Sequence, residues 1–307
     1  MTPTADAAER PRAARGGLLA HHPLLFFFIM AFAFSWIAWA PWVLSEEGAG
    51  LLPFSSPLLA AALPIGIFLG PTLAAFIMTA TTEGRAGIRR LLRRIVLWRV
   101  GLRWYLFALI GVPLVIPLVL TLGMIIVPGG LASLQFLGPG YVLAYPVSFV
   151  VTLIIGPLFE EIGWRGFALP RMQPLHGPLV GSIILGLLWA LWHLPEFMVP
   201  WWAAQSGGTS PIAIVKFGMI ATALGITLTW VFNNTKGSVL MAILVHTSVD
   251  APFLPFSVLL GPSELINSIL VGFGALALLV VVLTRGRLGY EHYQQVEEDP
   301  DLATASR

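Results

Sequence analysis

Five ionisable side chains stand inside long apolar stretches of this chain: Glu160, Glu161, His193, His246 and Asp250. Carboxylates and imidazoles are the groups that take a proton from water, or give one to a leaving group, near neutral pH. Their spacing on helices assigns them partners. Glu161 and Arg165 lie at i and i+4, share a face and can pair. Glu160, about 100° away on the same helix, is left over, and a buried unpaired carboxylate suits a general base. Trp189 and His193 share a face in the same way, so a large ring can pack over the imidazole and limit its contact with water. His246 and Asp250 also share a face, either as a pair that orients the ring or as two ligands of a metal ion. Taken together, Glu160 is the candidate base, His193 a second polarising group, and His246 and Asp250 candidate donors or ligands. Such a set can activate water against an amide and stabilise the oxyanion. By ligand type, Glu160, His193, His246 and Asp250 also fit a divalent metal such as zinc, which stands beside a metal-free mechanism as the candidate cofactor.

The elements that position these groups are membrane helices. The chain is 57% hydrophobic and 10% charged, with a mean hydropathy of +0.85, whereas soluble domains carry about 25% charged residues. A carboxylate at the bilayer centre costs roughly 2.5–3.5 kcal/mol on insertion scales and persists where it faces a protein interior or a wet cavity. Glu160, Glu161 and Asp250 are expected to be the only acids so placed, and the five groups are expected to share one buried polar site. The absence of cysteine excludes disulfides, zinc–thiolate sites, iron–sulfur clusters and a cysteine nucleophile. There is also no HExxH, no GxSxG and no pair of intramembrane aspartates.

At roughly 20 apolar residues per crossing, eight spans are expected: 24–44, 57–80, 104–127, 141–162, 179–199, 212–232, 237–256 and 265–284. The expected fold is an all-α polytopic bundle with a transmembrane domain over 23–285, in a cell membrane. Pro195 and Pro252 should bend or end the helices that carry the histidines. Residues 1–22 read as a disordered cytoplasmic tail and 286–307 as a disordered acidic one. The first apolar run has no small-x-small cleavage pattern at its end and reads as a membrane helix.

Eight spans with both termini inside place every Lys and Arg on the cytoplasmic side except Lys216. Arg165 and Arg171 fall just after span four, and Glu46, Glu47, Glu196 and Glu264 in outer loops. In 83–103, Ile88, Leu91, Leu92, Ile95 and Leu102 recur at near-helical spacing among seven arginines. This is the pattern of an interfacial helix on an anionic leaflet, so anionic lipid is the expected partner there and nucleic acid is not.

The three motifs in order, EExxxR at 160–165, aromatic-xxx-His at 189–193 and HxxxD at 246–250, resemble those of the CPBP intramembrane proteases, the CAAX-prenyl endopeptidase 2 and bacteriocin-processing (Abi) relatives. The resemblance covers roughly 157–252, and the family core is expected at about 140–256. It implies that Glu160 activates water with His193 as its partner. His246 and Asp250 would bind the oxyanion or a metal, and Glu161 and Arg165 would brace the first motif. Trp189 stands where Phe is usual, and Asp250 where Asn is frequent. An ionised Asp cannot donate to an oxyanion, so Asp250 must be protonated, orient His246 or bind a metal. The implied activity is a peptidase working at or inside the membrane from the cytoplasmic side, on a prenylated C-terminus, a leader peptide or a membrane-anchored protein. Two other classes use the same residues: a non-catalytic scaffold, chaperone or immunity protein, and a proton-coupled transporter. The transporter would be expected to show inverted repeats, and none is visible.

Overall fold

The computed structural model describes residues 17–126, 139–252 and 262–298, and these are helices and connecting turns with no strand among them. The outermost tail residues, including Arg10, Arg12, Arg15 and Arg307, lie outside the described residues, as does the end of the expected seventh span at 253–256. After a single turn, Leu18–His21, inside the stretch expected to be disordered, the chain forms α1 (Pro23–Leu44), α2 (Pro57–Ile95) and α3 (Leu102–Leu122). It continues with α4 (Pro139–Ile155), α5 (Pro157–His176), α6 (Pro178–Trp192), α7 (Pro200–Gln205) and α8 (Pro211–Asn234). The last helices are α9 (Val239–Asp250), α10 (Pro262–Thr284) and α11 (Tyr290–Glu298). Most begin on proline, whose fixed φ and missing N–H suit the first helical turn. Ser210 and Ser238 cap α8 and α9 by accepting from the amides of Ala213 and Met241.

Eight spans were expected. Among the described residues, six helical segments are long and apolar enough to cross a membrane, or seven if α4 and α5, bent by 42° at Gly156–Pro157, form one crossing. The molecule is thus a multi-pass membrane protein. The expected seventh span is represented by α9, whose 12 residues extend only about 18 Å. It need not face lipid. From Val239 to Val249 nearly every residue is buried, against α3, α4, α5 and α8.

Close packing sets the positions of the site helices. A side chain at Gly186 of α6 would place its Cβ 2.6 Å from the Cα of Thr222 on α8. One at Gly163 of α5 would lie 2.5 Å from Pro71 Cβ, in a π-helical turn of α2 (Phe68–Thr72). Small residues let helix backbones approach in lipid, where no hydrophobic driving force exists between helices. Thr72 Oγ1 donates to the Phe159 carbonyl at the same crossing.

The arginine-rich segment differs from the expected helix over 83–103. Gly84, at φ 62°, breaks α2, and its basic half stops at Ile95. Leu91 is buried while Leu92, Arg89 and Arg93 are exposed. Glu83 receives Arg90 at 2.5 Å and also pairs with Arg171 of α5. Within the acidic tail the chain forms a helix over Tyr290–Glu298, an element that the polar composition did not signal. Tyr293 is buried beside Phe232, with ring centroids 5.2 Å apart, and its hydroxyl lies 2.5 Å from Arg94 Nη2. One tyrosine therefore docks a segment whose average composition predicts no core.

Candidate active site

The three motifs meet at one cavity of about 350 Å³, lined by Glu160, Trp189, His193, Glu196, His246 and Asp250 among apolar side chains. Glu160 sits in the first turn of α5, at the bend after α4, and not near the end of a span, where the expected bounds 141–162 put it. Its Oε2 accepts from Trp189 Nε1 at 2.7 Å. Its Oε1 lies beside Gly156, where a Cβ would come within 3.3 Å of it. Trp189, expected only to pack, is therefore the donor that fixes the carboxylate. The available signal was that a buried indole N–H needs an acceptor.

Glu161 points away from the cavity and is fully buried. Its Oε1 accepts from Arg165 Nη1 at 3.0 Å, as the spacing predicted, and also lies 2.8 Å from His246 Nδ1 on α9. The guanidinium of Arg165 lies 5.6 Å from the Trp189 ring centroid. Arg165 was counted among the cytoplasmic charges, yet it is 1% exposed inside the bundle, in the π-helical turn Trp164–Ala168. It is a structural ion-pair partner and says nothing about topology.

His246 is held from both sides, since its Nε2 lies 3.2 Å from Asp250 Oδ2. Of the alternatives for Asp250, this geometry matches the one in which it orients His246. His193 caps α6 just before Pro195, and its Nδ1 lies 2.8 Å from the Trp189 carbonyl. A carbonyl only accepts, so Nδ1 carries the proton and Nε2 is the atom open to the cavity. Rings of Trp189, Trp192, Trp202 and Phe217 surround this imidazole with centroids 4.6–5.8 Å away.

One cavity residue was misplaced by sequence reasoning. Glu196, expected in an outer loop, is 1% exposed on the 3₁₀ turn Leu194–Met198. Its Oε2 lies 3.9 Å from His193 Nε2 and has no hydrogen-bond partner. The helical run of α6 continues past Pro195 as this 3₁₀ turn to Met198, which keeps the acid inside the bundle, a placement that charge counting could not register.

Of the two alternatives left open by the residue types, the geometry does not favour the four-residue metal set. Among the described residues no three His, Asp or Glu side chains are grouped to hold an ion. Both ring nitrogens of His246 face carboxylates, and Nδ1 of His193 faces a carbonyl. These contacts commit three of the four imidazole nitrogens that a four-residue cage would draw on.

The cavity also lies at the unexpected end of the bundle. Its walls come from the starts of α2, α8 and α10 and the ends of α6 and α9. The arginine-rich half of α2, Arg171 and α11 cluster at the opposite end. The sequence reading put Glu160 and the arginines at the same end of span four; the described helices separate the cavity from the arginine-rich end.

Residues 142–252 match a family model described as type II CAAX prenyl endopeptidase, Rce1-like. A curated relative, CAAX prenyl protease 2 of Methanococcus maripaludis, is 29% identical over 144 residues, which are 45% of this chain and 52% of that protein. The chain thus spans about half the length of the relative it matches. Both findings support a CPBP-family protease, and the matched stretch is the one that carries all three motifs.

Proposed function

We propose that the protein is an intramembrane endopeptidase that hydrolyses a peptide bond with water activated at Glu160. The observation that carries this reading is the shared cavity: Glu160 is held in its lining by Trp189, and His193 and His246 line it too. In this reading, water gives a proton to the Glu160 carboxylate while its oxygen attacks the substrate carbonyl. His246 has a carboxylate at each ring nitrogen. A ring that donates from both is cationic, and a cation fixed on the wall stabilises the oxyanion as it forms. Asp250 then needs no proton of its own, because it acts through His246.

The remaining walls favour an apolar substrate. Leu63, Ile67, Ile155, Ile220, Leu224 and Ile269 offer an aliphatic lining, which suits a lipid-modified or membrane-embedded peptide. A prenylated C-terminus of the CAAX type, a leader peptide and a membrane-anchored segment all meet that description. The exposed arginines Arg89 and Arg93 on the basic half of α2 are suited to anionic lipid headgroups. The test is cleavage of a farnesylated CAAX peptide by the purified protein in proteoliposomes, read by mass spectrometry. Glu160→Gln keeps the side-chain shape and removes the base. It should abolish cleavage with the thermal midpoint retained, and full activity in that variant would refute the role of Glu160.

A further inference from the structure

We infer that Glu196 is a positioning residue for the same reaction, holding on His193 the proton that the leaving amine requires. The inference rests on the endopeptidase reading and extends it to the second half of the reaction, which Glu160 alone does not explain.

The geometry supplies the argument. His193 Nδ1 is committed to the Trp189 carbonyl, so only Nε2 can exchange a proton with the cavity. Nε2 faces Glu196 Oε2 at 3.9 Å, and that oxygen has no donor. A neutral ring with a bare Nε2 and an ionised carboxylate would be two acceptors facing each other in a buried place, an arrangement with a desolvation cost and no compensating bond. One proton belongs to the pair, on Nε2 or on Glu196. The other charged or titratable groups at the cavity are Glu160 on α5 and His246 and Asp250 on α9; α8 contributes Phe217, Ile220, Ala221 and Leu224. Glu160 is bonded to Trp189, and His246 and Asp250 to each other. Neither these groups nor the neutral donors Thr152, Gln205 and Ser206, which also line the cavity, bond Glu196 Oε2.

The steps balance. The C–O bond forms as the proton of water passes to Glu160. The C–N bond then breaks, and the nitrogen takes its electron pair and the proton from His193 Nε2. The proton on Glu160 returns through cavity water to the His193–Glu196 pair, and the enzyme is restored. Glu196→Gln reverses the polarity of the contact. The amide would donate to Nε2, which must then be bare, so the proton needed by the leaving nitrogen is gone.

The experiment compares two probes in proteoliposomes: the farnesylated CAAX peptide, and N-acetyl farnesylcysteine aryl ester. The ester leaves as a phenolate, whose conjugate acid has a pKa of about 10, and needs no donated proton. Glu196→Gln should lower kcat/KM on the peptide by about 10²-fold or more and leave ester hydrolysis within about threefold. Its thermal midpoint should stay near that of the wild type, because the neutral amide still supplies one donor to the contact with His193 Nε2. A parallel loss on both probes, or no loss on either, overturns the inference. A wild-type protein inert towards both probes overturns the endopeptidase reading itself, a result distinct from an active wild type with an unimpaired Glu196→Gln.

Discussion

Replacing Arg165 by Met should separate stability from catalysis in a way that reports how the site is braced. Glu161 Oε1 has two partners, Arg165 Nη1 at 3.0 Å and His246 Nδ1 at 2.8 Å, and the three side chains are at most 2% exposed. Removing the guanidinium leaves a buried carboxylate with half its compensation. Breaking a buried pair from one side costs about 3–5 kcal/mol, a large share of the roughly 5–15 kcal/mol that holds a folded domain together. Methionine keeps the packing against the Trp189 ring, so the loss is electrostatic. The double variant Arg165→Met, Glu161→Leu removes both charges and should recover most of that stability, because an apolar pair of similar volume replaces an ion pair at little or no cost. Cleavage should not recover with it, since His246 then keeps only Asp250. Thermal unfolding in detergent, followed by tryptophan fluorescence and paired with cleavage of the farnesylated peptide, measures both quantities. Additive stability losses in the double variant would refute the coupling. Full activity in the double variant would refute the role of Glu161 in holding His246.

Two further outcomes follow from single contacts. Trp189→Phe removes the donor to Glu160 while keeping a ring between the two imidazoles. A hydrogen bond to a charged group is worth about 1.5–3 kcal/mol, but it is made already in the resting site and Phe is usual at this position in the resembled family, so kcat for peptide cleavage should fall by no more than about tenfold with little change in thermal midpoint. Tyr293→Ala empties the pocket between Phe232 and Arg94. Loss of a buried aromatic costs about 3–5 kcal/mol, and limited trypsin digestion should then cut near Arg285 and Arg287 at concentrations that leave the wild type intact.

The site was legible because lipid makes polarity conspicuous. Glu160, Glu161, His246 and Asp250 stood out in apolar runs, and i, i+4 spacing predicted both Glu161–Arg165 and His246–Asp250. What spacing along one helix cannot reveal is contact between helices. The Trp189–Glu160 and Glu161–His246 bonds join positions 29 and 85 residues apart. Charge counting also fails where a helix continues past a proline as a 3₁₀ turn, which is why Glu196 was assigned to a loop and proved to line the cavity. In the same way α9 has the hydropathy of a span and the length of a core helix, since its partners are protein, not lipid. The fold class needed only composition, whereas the C-terminal helix depended on one tyrosine that average composition conceals.

The position of the cavity constrains which substrates can reach it. Removing Arg165 from the topological count leaves the charge asymmetry intact, because Arg171 and the basic half of α2 still mark one end of the bundle. α6 runs from Pro178, near that end, to His193 and Glu196 at the cavity, and α9 runs the same way from Ser238, bonded to the Leu97 carbonyl, to Asp250. If the arginines face the cytoplasm, a scissile bond is reached from the outer half of the membrane. That favours leader peptides and membrane-anchored segments over a cytoplasmic tail as the natural substrate, while prenylated peptides remain usable probes in detergent or vesicles. The chain has no cysteine, so single introduced thiols report sidedness without background. Ala204→Cys, exposed on α7 beside the cavity, should react with a membrane-impermeant maleimide in intact cells, and Arg89→Cys only after lysis. Labelling in the opposite order would reverse the orientation and return the cavity to the cytoplasmic side.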